Sequence, residues 1–187
     1  MSWSARLLAV AVVATALPVS VGLLLSTPTA PRPLATPLSA FDTMHVAVRR
    51  RAFCDRIPAA DVAHLVGPTA HGTSWSDGDK VPFGATTDVA HEFGCSWAGS
   101  EGRSISAWVF APPVTLAQAS SYASGAAVGC SRLPGTFGAA SAGLRCGTSH
   151  SFRGLFGDAW LVCTVGGPHA SADLAGRWCV SVVRSAS

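Results

Sequence analysis

Residues 159–183 read AWLVCTVGGPHASADLAGRWCVSVV. Two runs rich in β-branched and aromatic residues, Ala159–Val165 and Trp178–Val183, stand on either side of Gly166, Gly167, Pro168 and Gly176. Runs of this kind separated by turn residues predict two strands. Antiparallel pairing that sets Cys163 opposite Cys179 also sets Val162 opposite Val180, Trp160 opposite Val182 and Thr164 opposite Trp178. Strand side chains alternate between faces, so one face then carries a disulfide. The other carries Trp160, Val162, Val180 and Val182, an apolar surface able to bury. A slip of one residue breaks both sets. The expectation is a strand pair stapled at Cys163–Cys179.

The remaining cysteines extend this framework outward. Cys130 and Cys146 bracket SRLPGTFGAASAGLR, a stretch with little core of its own that a local bridge would close. Cys54 and Cys95 are left as the third pair. No CxxC spacing occurs, which argues against a thioredoxin-like redox site and against a zinc ribbon. An even cysteine count read as disulfides implies maturation in an oxidising compartment.

The N-terminus agrees with export. Leu7 to Leu25 reads LLAVAVVATALPVSVGLLL, and no charge lies between Arg6 and Arg32. At ~1.5 Å per residue this is about enough to cross a ~30 Å hydrocarbon core. Arg6 marks the cytoplasmic side. Two readings stand together: an uncleaved membrane anchor, and a secretory signal cut after the small residues Ser26 to Ala30. Pro28 and Pro31 beside Ala30 fit a cleavage site poorly. No cysteine follows the apolar run, so a lipoprotein anchor is excluded. Pro28, Pro31, Pro33 and Pro37 then favour an extended spacer. The expected organisation is an export segment over residues 1–30, a Pro-rich linker over 31–52 and a disulfide-bonded extracytoplasmic domain over 53–187. Within 41–52, Met44, Val46 and Val48 alternate with polar or small residues, which suggests a first strand.

With 187 residues, 49% hydrophobic and 12% charged, the chain is too apolar and too weakly charged for disorder and long enough for one domain. Its net charge of +3 is too small and scattered to imply a nucleic-acid partner. There is no Asn, hence no Asn-linked glycosylation acceptor.

The coarse elements follow from local signals. Residues 57–67, IPAADVAHLVG, predict a helix with Pro58 in its first turn and Gly67 as C-cap, burying Ile57, Val62, Leu65 and Val66. Residues 68–90 read as a loop or hairpin. Gly94–Ala98 and Ser104–Ala111 read as strands, the second apolar on both faces and so central. Thr115 is a natural N-cap for a helix to Ser124 that turns Leu116, Ala119, Tyr122 and Ala123 inward. Consecutive strands favour an antiparallel sheet, so the fold expected is α+β: a small antiparallel sheet with two short helices on one face, held by disulfides.

Cys54-Asp55-Arg56-Ile57-Pro58, with Asp61-Val62 and Leu65-Val66-Gly67, resembles the opening of an actinobacterial exported domain of unknown function, common in lipoproteins. Cys95-Ser96-Trp97 running into a strand, and the late Asp158-Ala159-Trp160, extend the resemblance over about residues 53–184. It implies a compact α+β exported domain with a Cys54–Cys95 bridge and no established activity. This chain departs from the pattern in lacking the lipobox cysteine and in carrying four further cysteines.

Candidate chemistry is sparse. His91 and Cys95 have a helical ligand spacing, but Gly94 and Ser96-Trp97 suggest a strand and Cys95 belongs to a disulfide. The other histidines, His45, His64, His71, His150 and His169, are scattered. Asp77-Gly78-Asp79-Lys80 lacks the later ligands of a calcium loop and reads as a polar turn. No G-x-S-x-G elbow and no phosphate-binding glycine loop occurs. Glu92, Glu101 and Asp158 are a thin supply of carboxylates for glycoside hydrolysis. No catalytic residue, cofactor or metal ligand is therefore assigned. Most of the tryptophans are expected in the core. Trp75, in the 68–90 loop, and the basic run Arg49, Arg50 and Arg51 are the candidate binding surface; the arginines read first as a solvated patch, with contact to anionic lipid or wall polymer as the alternative. The expected function is that of an exported or membrane-anchored cell-envelope protein with a non-catalytic binding or interaction domain. Its ligand or protein partner would be another envelope component, with the membrane a partner through an uncleaved N-terminus. A small envelope hydrolase is the alternative.

Overall fold

The computed structural model describes residues 36–83, 85–125 and 129–187. The N-terminal apolar run and the anchor-or-signal question lie outside these residues, and no described helix is long and apolar enough to cross a membrane. The fold is α+β. Seven strands form one antiparallel sheet: β1 (His71–Trp75), β4 (Glu92–Ala98), β5 (Ser104–Phe110), β6 (Cys130–Leu133), β7 (Ala139–Cys146), β8 (Ser149–Phe156) and β9 (Ala159–Gly166). Their order across the sheet is β1-β4-β5-β9-β8-β7-β6. A separate hairpin, β2 (Lys80–Phe83) with β3 (Thr86–Val89), rises between β1 and β4.

The sheet is larger than expected because β7, β8 and β9 form a meander through two-residue turns. These turns are Gly147-Thr148 and Gly157-Asp158. Each begins with a glycine at positive φ, 58° for Gly147 and 68° for Gly157, which suits the turns whose twist matches paired strands.

Three helices pack on the sheet. α1 (Ala59–Val66) and α2 (Leu116–Ser124) occupy nearly the predicted residues. α3 (Ala172–Ala186) replaces the predicted strand Trp178–Val183. Ser171 caps it, accepting from the Leu174 amide at 3.1 Å, and Arg177 pairs with Asp173 at 2.8 Å across one turn. These local helix signals, together with burial of α3 against the sheet, override the β-branched run. The Cys163–Cys179 bridge therefore joins a strand to a helix instead of two strands.

The predicted pair of helices does not share a face. α1 and α3 lie on one side, packed with Ile105, Val109, Leu161, Val165 and Phe152 around a buried Trp178. The Trp178 indole N–H donates to the Ser106 carbonyl at 3.0 Å. α2 lies on the other side against Ala142, Leu155, Trp160 and Val162. It buries Ala119 and Ala123, but Leu116 and Tyr122 remain 60% and 41% exposed, against the expected inward stripe.

Residues 41–52 form no strand; they run in irregular conformation, with Phe41 and Val46 against the core and Val48 buried. All six cysteines are bridged in the expected pairs, Cys54–Cys95, Cys130–Cys146 and Cys163–Cys179. Cys130 and Cys146 face each other across β6 and β7, so the stretch between them is a hairpin and not a coreless loop. Three bridges using every cysteine suggest an extracytoplasmic environment.

Candidate functional site

Cross-strand partners in an antiparallel sheet point to the same side, and neighbours along a strand alternate. The register therefore lays out the α2 side of the sheet row by row. One row runs Thr73, Ser96, Ser106, Thr164, Ser151 across β1, β4, β5, β9 and β8. The next outward row is His71, Ala98, Ser104, Gly166, Ser149. On its other flank stands Trp75, Gly94, Trp108, Val162, Arg153. α2 covers the sheet from Val162 toward Leu155, so the two hydroxyl rows lie beyond it.

These rows are unusual for a solvated sheet face, which ordinarily alternates with charged side chains. They carry small hydroxyls and no carboxylate or ammonium. The seven hydroxyls of Thr73, Ser96, Ser104, Ser106, Ser149, Ser151 and Thr164 have no hydrogen-bond partner among the described residues. Thr73 and Ser104 are exposed, Ser96, Ser106, Ser149 and Thr164 are half-buried, and Ser151, at the α2 end of its row, is buried. Two adjoining depressions of about 450 and 580 Å³ share Thr73 and Ser96 and make one trough, lined at its far end by Asp79, Lys80, Val81, Pro82 and Glu92.

Trp75 forms a ledge beside the trough. Its ring lies over Gly94: a Cβ built there would stand 2.3 and 2.5 Å from the indole and 2.9 Å from the Trp108 Cβ. Only glycine lets the ring approach so closely. The indole N–H donates to Glu92 Oε1 at 3.3 Å, which fixes the ring's orientation. Trp108 continues the ledge into an aromatic chain, with ring centroids 5.1 Å from Phe110, then 6.0 Å on to Tyr122 and 5.6 Å on to Trp160. That chain ties α2 to the sheet and holds Trp108 in place.

Of the arginines expected to share a surface with Trp75, Arg50 is engaged elsewhere. Arg50 pairs with Asp158 at 3.1 Å and donates to the Ala111 carbonyl, so it braces the β8–β9 turn. Arg49 and Arg51 are exposed. No hydrogen bond, ion pair or ring contact joins the three to Trp75 among the described residues. His91 lies 3.8 Å from Asp77, and Asp79 accepts from the Ser76 amide in the turn leading to β2. Among the described residues no group of three or more His, Cys, Asp or Glu could hold a metal. The three carboxylates weighed for hydrolysis stand apart in role: Glu92 holds Trp75, Asp158 holds Arg50, and Glu101 sits exposed in a short turn.

The hydroxyl rows escaped the sequence reading because they are assembled from five strands. Their signal lies in alternation: Ser104 and Ser106 in β5 stand next to Ile105 and Ala107, Thr164 in β9 next to Cys163 and Val165, and Ser151 in β8 next to Phe152, with Ser149 two residues before it. Without the strand order nothing joins them. A further hollow of about 490 Å³ lies between residues 37–44 and the start of α3, but it borders the segment leading out of the described residues. No protein-family model matches this chain, and neither a curated protein nor a solved structure matches it.

Proposed function

We propose that this chain is an exported, non-catalytic binding domain of the cell envelope, and that its ligand is a glycan chain lying across the open half of the sheet. The resemblance of its Cys54–Gly67 opening and Cys95-Ser96-Trp97 to an actinobacterial exported domain fits this reading, as does the bridging of every cysteine. The apolar N-terminal run would hold the domain at a membrane, or be removed to release it.

One observation carries the proposal: a contiguous field of hydroxyls without partners among the described residues, beside a fixed indole ledge. Hydroxyls both donate and accept, as sugars do, and an indole face covers the C–H face of a pyranose ring. Strands stand ~4.8 Å apart, so a ligand crossing them meets a fresh hydroxyl at about that interval, close to the length of one extended sugar unit. Five strands give a row of about 19 Å. Neither row brings a paired nucleophile and base to the trough, and the arrangement can hold a chain without cutting it.

Titrating the oxidised full chain with neutral oligosaccharides of increasing length, followed by tryptophan fluorescence, tests the reading. Affinity rises with length until the row is filled, and Trp75→Ala weakens it about tenfold, the value of roughly 1.4 kcal/mol. Absence of binding across the series, or unchanged affinity in Trp75→Ala, overturns it.

A further inference from the structure

On the open face, Arg153 is a cation without a hydrogen-bond or ion-pair partner among the described residues. Arg153 stands on β8 in the row of Trp108 and Val162, one row from Ser151 and Thr164 and on the same side of the sheet. Its Nε is buried without a hydrogen-bond partner, and no ion pair or hydrogen bond engages its terminal nitrogens among the described residues. Arg132, further along the same side of the sheet on β6, shows the ordinary outcome. Its guanidinium donates to the Ala123 and Ser124 carbonyls at 3.1 and 3.2 Å, closing the C-terminal end of α2. Arg50 likewise has Asp158. A half-buried guanidinium without an acceptor is costly, and burial pushes its pKa below the ordinary arginine value.

Resting on the glycan reading above, we infer that the chain bound across the hydroxyl rows is a carboxylated one, and that Arg153 takes a uronate carboxylate at the end of the Thr73–Ser151 row. Charge complementarity carries the inference. Arg153 at one border of the hydroxyl rows and Lys80 at the other match a polymer of hydroxyls with spaced carboxylates, while Glu92 and Asp79 beside Lys80 are held by the Trp75 indole and the Ser76 amide. The two terminal guanidinium nitrogens present a fork that a planar carboxylate fits with two parallel hydrogen bonds. The α2 edge beside Arg153 lowers the local dielectric and strengthens that pair. The rows supply the hydrogen bonds that read the sugar, and Arg153 supplies the preference for acid.

The test compares oligogalacturonates with neutral cello-oligosaccharides of equal length on the oxidised full chain, with Arg153→Gln and Arg153→Lys beside the native protein. The native chain prefers the acidic series by about tenfold or more, and the preference shrinks as salt is raised, because screening weakens the ion pair. Arg153→Gln brings the acidic series down to the neutral level and leaves neutral binding unchanged. Arg153→Lys keeps part of the salt-sensitive preference. Should Arg153→Gln fail to fold, the salt dependence of the native preference decides the matter alone. Equal binding of both series, or an acidic preference that Arg153→Gln leaves intact, overturns the inference and leaves the glycan reading standing. Competition by inorganic phosphate or by anionic lipid vesicles as effective as that of the oligogalacturonate also overturns it. Failure of both series to bind overturns the glycan reading itself.

Discussion

Two glycines on the open face differ in what a methyl group would meet, and so in what they do. At Gly94 the added carbon runs into the Trp75 ring and the Trp108 Cβ, both held by packing. Gly94→Ala should cost about 1–3 kcal/mol, measured by denaturant unfolding, with a shift in tryptophan emission as the ledge is displaced. At Gly166 the nearest atoms are the hydroxyls of Ser104 and Ser149, at 2.6 and 3.2 Å, and both can rotate away. Gly166→Ala should leave stability within about 0.5 kcal/mol while weakening glycan binding, because it fills the gap between two of the row's hydroxyls. His150 adds a pH dependence. Burial, and then the nearby Arg145, hold its pKa below the ordinary imidazole value of 6.5, and its Nδ1 is buried without a hydrogen-bond partner among the described residues. The unfolded chain therefore takes up the proton more readily than the folded one. This contribution to stability is complete above pH ~6.5 and is lost as pH falls through the lowered value. Unfolding curves at descending pH should show a shallower acid-side loss in His150→Gln than in the native chain.

At the scale of elements, what could be read from sequence was what local signals decide. Thr115 caps α2 as expected, in a reciprocal pair with Gln118, and Thr115→Ala should cost about 1 kcal/mol by thermal unfolding. Pro58 and Gly67 bound α1 for the same kind of reason. The disulfide pairs were legible although one of their elements was not. A pairing needs only that Cys163 and Cys179 meet, and both a strand and a helix packed on β9 satisfy that. The run Trp178–Val183 misleads because β-branching describes a strand while Ser171 and Asp173, seven and five residues upstream of Trp178, set up a helix. The meander was missed because Gly147-Thr148 and Gly157-Asp158 are short turns inside stretches too small-residued to look like strands, such as AASAGLRC. Of the proposed site, Trp75 could be singled out as a tryptophan among turn residues. The hydroxyl rows were not, since each member is an ordinary serine or threonine until the strands are ordered. The bridges differ in the same sense. Cys163 and Cys179 are fully buried between sheet and α3, whereas Cys130 and Cys146 lie toward the β6 edge. Each closes a loop of similar length, with a sequence separation of 16, so chain entropy assigns each about 3 kcal/mol. Replacing both cysteines of the buried bridge by alanine should cost more than replacing both of the edge pair, by the added loss of core packing.

The whole molecule is a twisted sheet buried on one side by α1 and α3 and only half covered on the other by α2. Its staples tie the N-terminal helical region to β4, hold the β6–β7 edge and fasten α3 to β9. This arrangement leaves the hydroxyl rows facing outward beside the Trp75 ledge, a preformed surface for the proposed glycan that costs little reorganisation on binding. The most direct test is a map of backbone amide chemical shifts on the oxidised full chain as a soluble oligogalacturonate is added. The largest changes should follow the rows, at Thr73, Ser96, Ser106, Thr164 and Ser151, with the Trp75 indole moving alongside. Changes confined to the α1 and α3 side, or to the hollow between residues 37–44 and α3, would contradict the glycan reading.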